Sequence, residues 1–149
     1  MKRILINIAT VGPVGYSPVA PGTAGSLFAF LLCLLIKPSA ELLIFFIVIT
    51  FLVGIKASTE AETTLNEKDS SHIVIDEVSG YLVSVLFLPP TLLNLSLGFF
   101  IFRFFDILKP PPIRYFEQRL SGGFGVMFDD VLAGIYTSIL LHLIVFLWG

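Results

Sequence analysis

The sequence predicts an all-α fold: a multi-pass membrane bundle of four to five apolar helices, arranged as two helical hairpins followed by a C-terminal helix. The first observation is composition, because the chain of 149 residues is 56% hydrophobic and only 13% charged, with a mean hydropathy of +0.94. Soluble domains are far less apolar. The second is that the apolar residues fall into separate runs bounded by proline, glycine or charge. We expect residues 1–149 to form a single domain.

The runs define the elements in chain order. The hydrocarbon core of a bilayer needs about 20 helical residues, so the first and third runs are too short to cross it comfortably alone. Proline ends a helix and favours chain reversal, which predicts one hairpin around Pro38 and another around Pro89-Pro90. The predicted helices are Ser26–Ile36, Ala40–Ala57, Ile75–Leu88, Thr91–Leu108 and Asp129–Trp148.

Composition also excludes some classes of function. The formal net charge is -2 and no basic run is present, so the sequence gives no indication of nucleic-acid binding. Cys33 is the single cysteine, which rules out an internal disulfide and makes a zinc cage implausible. The sequence does not define an oligomeric state.

The charges are distributed unequally between the two ends of the predicted helices. Only Lys37 and Glu41 fall at one end, whereas the other basic residues and the paired acids fall at the opposite end. Basic residues favour the cytoplasmic side of a membrane, so we expect the polar chemistry to face the cytoplasm. The basic residues at that end are Lys2, Arg3, Lys56, Lys68, Lys109, Arg114 and Arg119, with Arg103 just inside.

The first candidate motif is Asp76-Glu77, at the start of an apolar helix. Acids in a first turn interact favourably with the helix dipole, so simple helix capping is one interpretation. Two adjacent acids exceed what a cap requires, and hard divalent cations prefer carboxylate oxygens. We therefore favour a metal site here.

The second motif places Arg103, Asp106 and Lys109 at every third position, which puts neighbouring charges on one helical face. One interpretation is a ladder of ion pairs that neutralise one another. In the other, Asp106 is a metal ligand and Arg103 or Lys109 binds phosphate. The acidic pairs elsewhere favour the second interpretation.

The third motif joins the glycine-rich stretch Ser121–Gly125 to Asp129-Asp130. We expect a flexible loop that brings backbone amides beside paired acids. A fourth stretch, Pro18–Ser26, precedes the first apolar helix, where Thr23, Ser26 and free amides could bind phosphate. It has no lysine of the Walker type, which argues against nucleotide binding.

In this order the motifs resemble the phosphatidylglycerophosphatase A family of bacterial membrane phosphatases. The matching stretches cover most of the chain: Ser17–Ser26, Ile75–Glu77, Phe102–Pro110 and Gly122–Asp130. The resemblance implies a magnesium-dependent, multi-pass enzyme of the bacterial inner membrane, with its active site facing the cytoplasm. It implies removal of the terminal phosphate of the lipid phosphatidylglycerophosphate, which leaves phosphatidylglycerol.

On this hypothesis the acids hold one or two Mg²⁺ ions that neutralise the phosphate and activate water, while Arg103 and Lys109 contact the phosphate oxygens with help from Thr23 and Ser26. Attack by an acid to form an aspartyl-phosphate remains open. The candidate metal ligands are Asp76, Glu77, Asp106, Asp129 and Asp130, and the catalytic set adds Lys109.

Three alternatives remain. A divalent-cation transporter would need acids along a pathway from both sides, whereas here one end is nearly bare of them. A lipid phosphotransferase would carry a spaced aspartate pattern that the sequence lacks. A purely structural membrane subunit would have no need for five clustered acids.

Overall fold

The computed structural model describes residues 1–148, and every regular element in that range is helical. A short 3₁₀ turn, Val14–Tyr16, follows the first helix. The α-helices are α1 (Lys2–Ala9), α2 (Pro21–Ile36), α3 (Ala40–Leu65), α4 (Ile75–Ser84), α5 (Leu92–Leu108), α6 (Ile113–Arg119) and α7 (Gly122–Trp148).

Helix α4 lies at the centre of the bundle, because it packs against α2, α3, α5 and α7. Its side chains are almost all buried, including Tyr81, whose hydroxyl donates a hydrogen bond of 2.9 Å to the carbonyl of Leu95. Phe102 of α5 is fully buried against the same tyrosine. The core therefore forms around a helix of only 10 residues.

Glycines allow α4 and α7 to approach backbone to backbone. A Cβ placed on Gly134 would lie 2.3 Å from the carbonyl oxygen of Gly80, and one placed on Gly80 would lie 2.5 Å from that of Asp130. No side chain fits in such a contact. This close packing holds the paired aspartates of α7 next to the first turn of α4.

Each predicted apolar run contains a helix, although several boundaries differ. Helix α2 begins at Pro21, because proline is well suited to the first position of a helix. Helix α3 continues beyond Ala57 to Leu65, and α4 ends at Ser84, four residues before the predicted Leu88.

The prediction of a flexible glycine loop before Asp129 is wrong, because α7 begins at Gly122. The glycines serve packing instead: a Cβ on Gly123 would lie 2.0 Å from the carbonyl oxygen of Ile55 in α3. The backbone amide of Gly123 also donates a 3.0 Å hydrogen bond to the hydroxyl of Thr59.

Two helices, α3 and α7, are long and apolar enough to cross a membrane. Only 22% of the residues in the apolar window of each are buried inside the protein, so most of these side chains are at least partly exposed. Helices α2 and α5 also present large exposed apolar side chains, including Leu35 and Phe100. A continuous apolar exterior of this kind suits a lipid environment.

The polar ends of five helices meet at one end of the bundle. The first turns of α2 and α4, the last turn of α5, the C-terminal part of α3 and the N-terminal part of α7 all lie there, as the contacts of Gly22 with Glu77 and of Gly123 with Thr59 show. The end of α2 and the start of α3, joined by residues 37–39, lie at the other end.

Candidate active site

The acids predicted from the sequence converge at the polar end of the bundle. Asp76 and Glu77 occupy the first turn of α4, and Asp106 the last turn of α5. Asp129 and Asp130 lie about two turns into α7. Asp76 is close enough to Asp106 and Asp129 for their charges to interact. The structure therefore brings together residues that are up to 54 positions apart in the chain.

Three of these acids form a compact group that we call the acidic trio: Asp76, Glu77 and Asp130. Each offers a carboxylate oxygen, and these oxygens lie within 4.8 Å of one another. In residues 1–148, Asp76 Oδ1, Glu77 Oε2 and Asp130 Oδ2 are buried without a hydrogen-bond partner. Buried anions without partners are costly, and three hard oxygen donors of this kind fit a divalent cation such as Mg²⁺.

Asp106 lies beside the trio but is paired with a cation. Arg103 Nη1 donates a short hydrogen bond to Asp106 Oδ2 and lies 3.9 Å from Glu77 Oε1. Arg103 Nε is also buried, with no partner in the described part of the chain. Arg103 thus connects Asp106 to the trio and retains a free donor.

Asp129 is paired with Lys109 in the same way. Lys109 Nζ donates hydrogen bonds of 2.7 Å to Asp129 Oδ2 and 2.6 Å to Glu117 Oε1. Burial alone would lower the pKa of Lys109, but the Asp129 carboxylate and the bonds to both acids outweigh it and raise that pKa. Lys109 therefore stays protonated at physiological pH and is suited to binding an anion.

The turn that ends α5 places Lys109 at this point. Lys109 has a left-handed backbone (φ 45°). Its amide donates a hydrogen bond of 2.8 Å to the carbonyl of Phe105, which caps the helix. Pro110 follows and stops the helix from continuing. The side chain can then turn towards α7 instead of following the face of α5.

The first turn of α2 forms another wall of the site. A Cβ on Gly22 would lie 2.2 Å from Glu77 Oε1 and 3.3 Å from Arg103 Nη1, so only glycine leaves room for these groups. Thr23 is half-buried in the same turn. Ser26 is fully buried, and its hydroxyl donates a hydrogen bond of 3.0 Å to the carbonyl of Gly22 within α2.

A polar cleft of about 280 Å³ opens next to Asp129, between the end of α3 and the start of α7. Its walls include Glu62, Asp69 and Glu117 together with Lys68. Asp69 is exposed at the edge of the cleft, and partial desolvation of its carboxyl group there raises its pKa. The cleft gives Asp129 an opening to the surface at this end of the bundle.

Sequence reasoning missed two residues of this site. Glu117 lies on α6, far from any acidic pair, and only the fold shows that it shares Lys109 with Asp129. Gly22 had a usable signal, since glycine directly after a helix-starting proline indicates close approach of another group.

Comparison with known proteins identifies relatives along most of the chain. The model of the family "Phosphatidylglycerophosphatase A" matches residues 7–145. The Haemophilus influenzae protein named phosphatidylglycerophosphatase A is 39% identical, over 97% of this chain and 93% of its own length. The Escherichia coli protein of the same name is 33% identical, over 90% of this chain and 79% of its own length.

A third relative carries a different name. This Bacteroides thetaiotaomicron protein, provisionally named a phosphatidylinositol-3-phosphatase, is 38% identical over 95% of each chain. No solved structure matches the chain. The matched region contains the acidic trio and both cation-paired aspartates, and the chain therefore belongs to the phosphatidylglycerophosphatase A family of phosphoric monoester hydrolases.

Proposed function

We propose that this protein is a magnesium-dependent lipid phosphomonoesterase, which dephosphorylates phosphatidylglycerophosphate to phosphatidylglycerol at the cytoplasmic face of a bacterial inner membrane. Two relatives named for this activity align over at least 90% of the chain. The structural observation that carries the proposal is the acidic trio, in which one carboxylate oxygen from each residue lies within 4.8 Å of the others and each residue has a buried oxygen without a hydrogen-bond partner.

Asp76, Glu77 and Asp130 are the residues that would hold the metal, with Asp106 and Asp129 close enough to complete its surroundings. When bound there, Mg²⁺ supplies charge neutralisation for the phosphate and activation of a water molecule. The trio supplies the negative charge that selects a cation. Gly22 in the first turn of α2 leaves room for the side chains of Glu77 and Arg103 to lie directly against that helix.

Arg103 and Lys109 supply positive charge on either side of the trio. In the free protein they are paired with Asp106 and with Asp129 and Glu117, which keeps both side chains ordered. A phosphate oxygen can share the remaining donors, beginning with the unpartnered Nε of Arg103. Positioned donors of this kind stabilise the charge that develops during phosphoryl transfer.

The membrane placement follows from the apolar exterior and the charged end. Helices α3 and α7 cross the bilayer in our proposal, and the apolar α2 and α5 are embedded beside them. Basic residues gather at the end that carries the acids, which favours a cytoplasmic site. A lipid phosphate could then reach the trio while its acyl chains stay among the apolar helices.

Phosphate release from defined lipids in detergent micelles tests this function. Phosphatidylglycerophosphate and phosphatidylinositol 3-phosphate should be compared at equal mole fraction, each with Mg²⁺ or with EDTA. We expect Mg²⁺-dependent release, faster from phosphatidylglycerophosphate. Faster release from the inositol lipid would reassign the headgroup, whereas no release from either, with Mg²⁺ uptake into sealed vesicles, would favour a transporter.

A further inference from the structure

Helices α2 and α3 are joined by only three residues, yet they diverge. Within residues 1–148, α2 packs against α4 and α5, whereas α3 packs against α1, α4 and α7. The space between α2 and α3 is a cavity of about 200 Å³, with α4 as its floor. We call it the α2–α3 groove, and its main walls are Phe28, Leu32, Ile36, Leu43, Phe46 and Val78.

The groove offers no polar group to a ligand. Its one hydroxyl belongs to Thr50 and donates a hydrogen bond of 2.7 Å to the carbonyl of Phe46 in the same helix. The thiol of Cys33 is buried in the wall. A ligand of this groove must therefore be apolar, such as a hydrocarbon chain, because any polar atom placed there would lose its hydrogen bonds.

One end of the groove lies next to the residue that begins the acidic trio. Ile75 lines it and directly precedes Asp76, whereas Ile36 and Pro38 line it at the opposite end of the bundle. From Phe28 to Ile36 it follows nine residues of α2, and the eight steps between them span about 12 Å at 1.5 Å per step. A chain that enters beside the trio can thus run parallel to α2 into the apolar half of the bundle.

The groove also opens sideways to the apolar exterior. Leu32 is 37% exposed and Phe46 is 40% exposed, and these side chains stand on its two opposite walls. An acyl chain can therefore enter the groove sideways while the rest of the lipid stays in the bilayer. The side opening, the apolar walls and the nearness of Asp76 fit an acyl chain of a lipid better than a soluble ligand.

We propose that the α2–α3 groove binds one acyl chain of the lipid phosphomonoester whose phosphate is hydrolysed at the acidic trio. This inference rests on the proposed function, because it takes the lipid to be the substrate. The groove then orients the lipid so that its phosphate lies at Asp76 and Glu77, and it makes hydrolysis depend on acyl-chain length.

Photocrosslinking tests binding separately from catalysis. The probe is phosphatidylglycerophosphate with a diazirine near the middle of one acyl chain, added to the full-length protein in micelles containing EDTA. We expect crosslinks in residues 28–36 and 43–50 that disappear when unlabelled phosphatidylglycerophosphate is added. Crosslinks spread over all exposed apolar faces, or unaffected by competitor, would overturn the proposal and indicate bulk lipid.

Two tryptophan variants test the effect on hydrolysis. Leu32→Trp places bulk at the mouth of the groove, and Leu35→Trp is its control, on the same helix but 79% exposed and outside the groove. We expect Leu32→Trp to reduce the ratio of kcat/KM for dipalmitoyl over dihexanoyl substrate at least threefold, and Leu35→Trp to leave it unchanged. Equal ratios in both variants would contradict the proposal. Groove crosslinks without phosphate release from wild type would instead refute the proposed phosphatase activity.

Discussion

Replacing Asp130 with asparagine should make the metal-free protein more stable while removing its response to Mg²⁺. Asp130 Oδ2 is buried without a partner in the described chain, and the trio's oxygens lie within 4.8 Å of one another. At that distance two full charges would repel by about 3.5 kcal/mol at an effective dielectric constant of 20, which is an upper limit because a buried carboxyl group can take up a proton instead. Asp130 has two such neighbours, Asp76 and Glu77.

Part of this repulsion is already offset, because Arg103 lies 3.9 Å from Glu77. We therefore expect a net gain of about 1–3 kcal/mol for Asp130→Asn without metal, or about 3–10 °C in Tm for a chain of this size. Mg²⁺ at 100 times its Kd should stabilise the wild type by about 2.7 kcal/mol. The variant should gain much less from the same addition.

The assay is thermal unfolding in detergent, with EDTA or with increasing Mg²⁺. Glu41→Gln is the matched control, because it removes one acid at the opposite, exposed end and should change neither Tm nor the Mg²⁺ response. A lower Tm for Asp130→Asn in EDTA, or an undiminished rise with Mg²⁺, would refute the reasoning that these three acids form the metal site.

Three further substitutions test neighbouring contacts. Lys109→Gln leaves Asp129 and Glu117 without their cation. We expect Tm to fall by an amount equivalent to about 1.5–3 kcal/mol, and the rate of phosphate release to fall at least tenfold. The control Lys68→Gln, at an exposed lysine, should have little effect on either quantity. Gly22→Ala presses a methyl group against the carboxylate of Glu77, whose flexible end can move, so Tm should change little. We expect half-maximal activation to need at least a tenfold higher Mg²⁺ concentration, because the metal ligand is displaced. An unchanged Mg²⁺ concentration for activation would contradict this. Gly134→Ala meets the backbone of α4 and should destabilise the bundle by about 1–3 kcal/mol, seen as a lower Tm, and unchanged stability would show that the helices are less tightly packed.

The sequence was sufficient to predict an all-helical fold and a cluster of acids at one end of the bundle. Apolar runs bounded by prolines predicted the helices. Paired acids in so apolar a chain predicted a functional site, because burying a charge is costly. The unequal charge of the two ends also predicted that the acids would gather at one end. These signals are local or compositional, so a single sequence contains them.

Packing between distant segments was beyond sequence reasoning. Nothing near Gly123 shows that its neighbour is the backbone of Ile55, so the glycine stretch was predicted as a loop and not as the first turn of α7. The pairing of Lys109 with Glu117, and the separation of the trio from the two cation-paired aspartates, depend in the same way on how α4, α5 and α7 meet.

The most direct test of the central claim is the Mg²⁺ dependence of phosphate release from phosphatidylglycerophosphate by wild type and Glu77→Gln, with Glu60→Gln as a control outside the trio. Our account predicts saturable activation of the wild type and of Glu60→Gln, and a loss of at least 100-fold in Glu77→Gln at the same Mg²⁺ concentration. Activity that persists in EDTA, or a Glu77→Gln variant as active as wild type, would contradict the account.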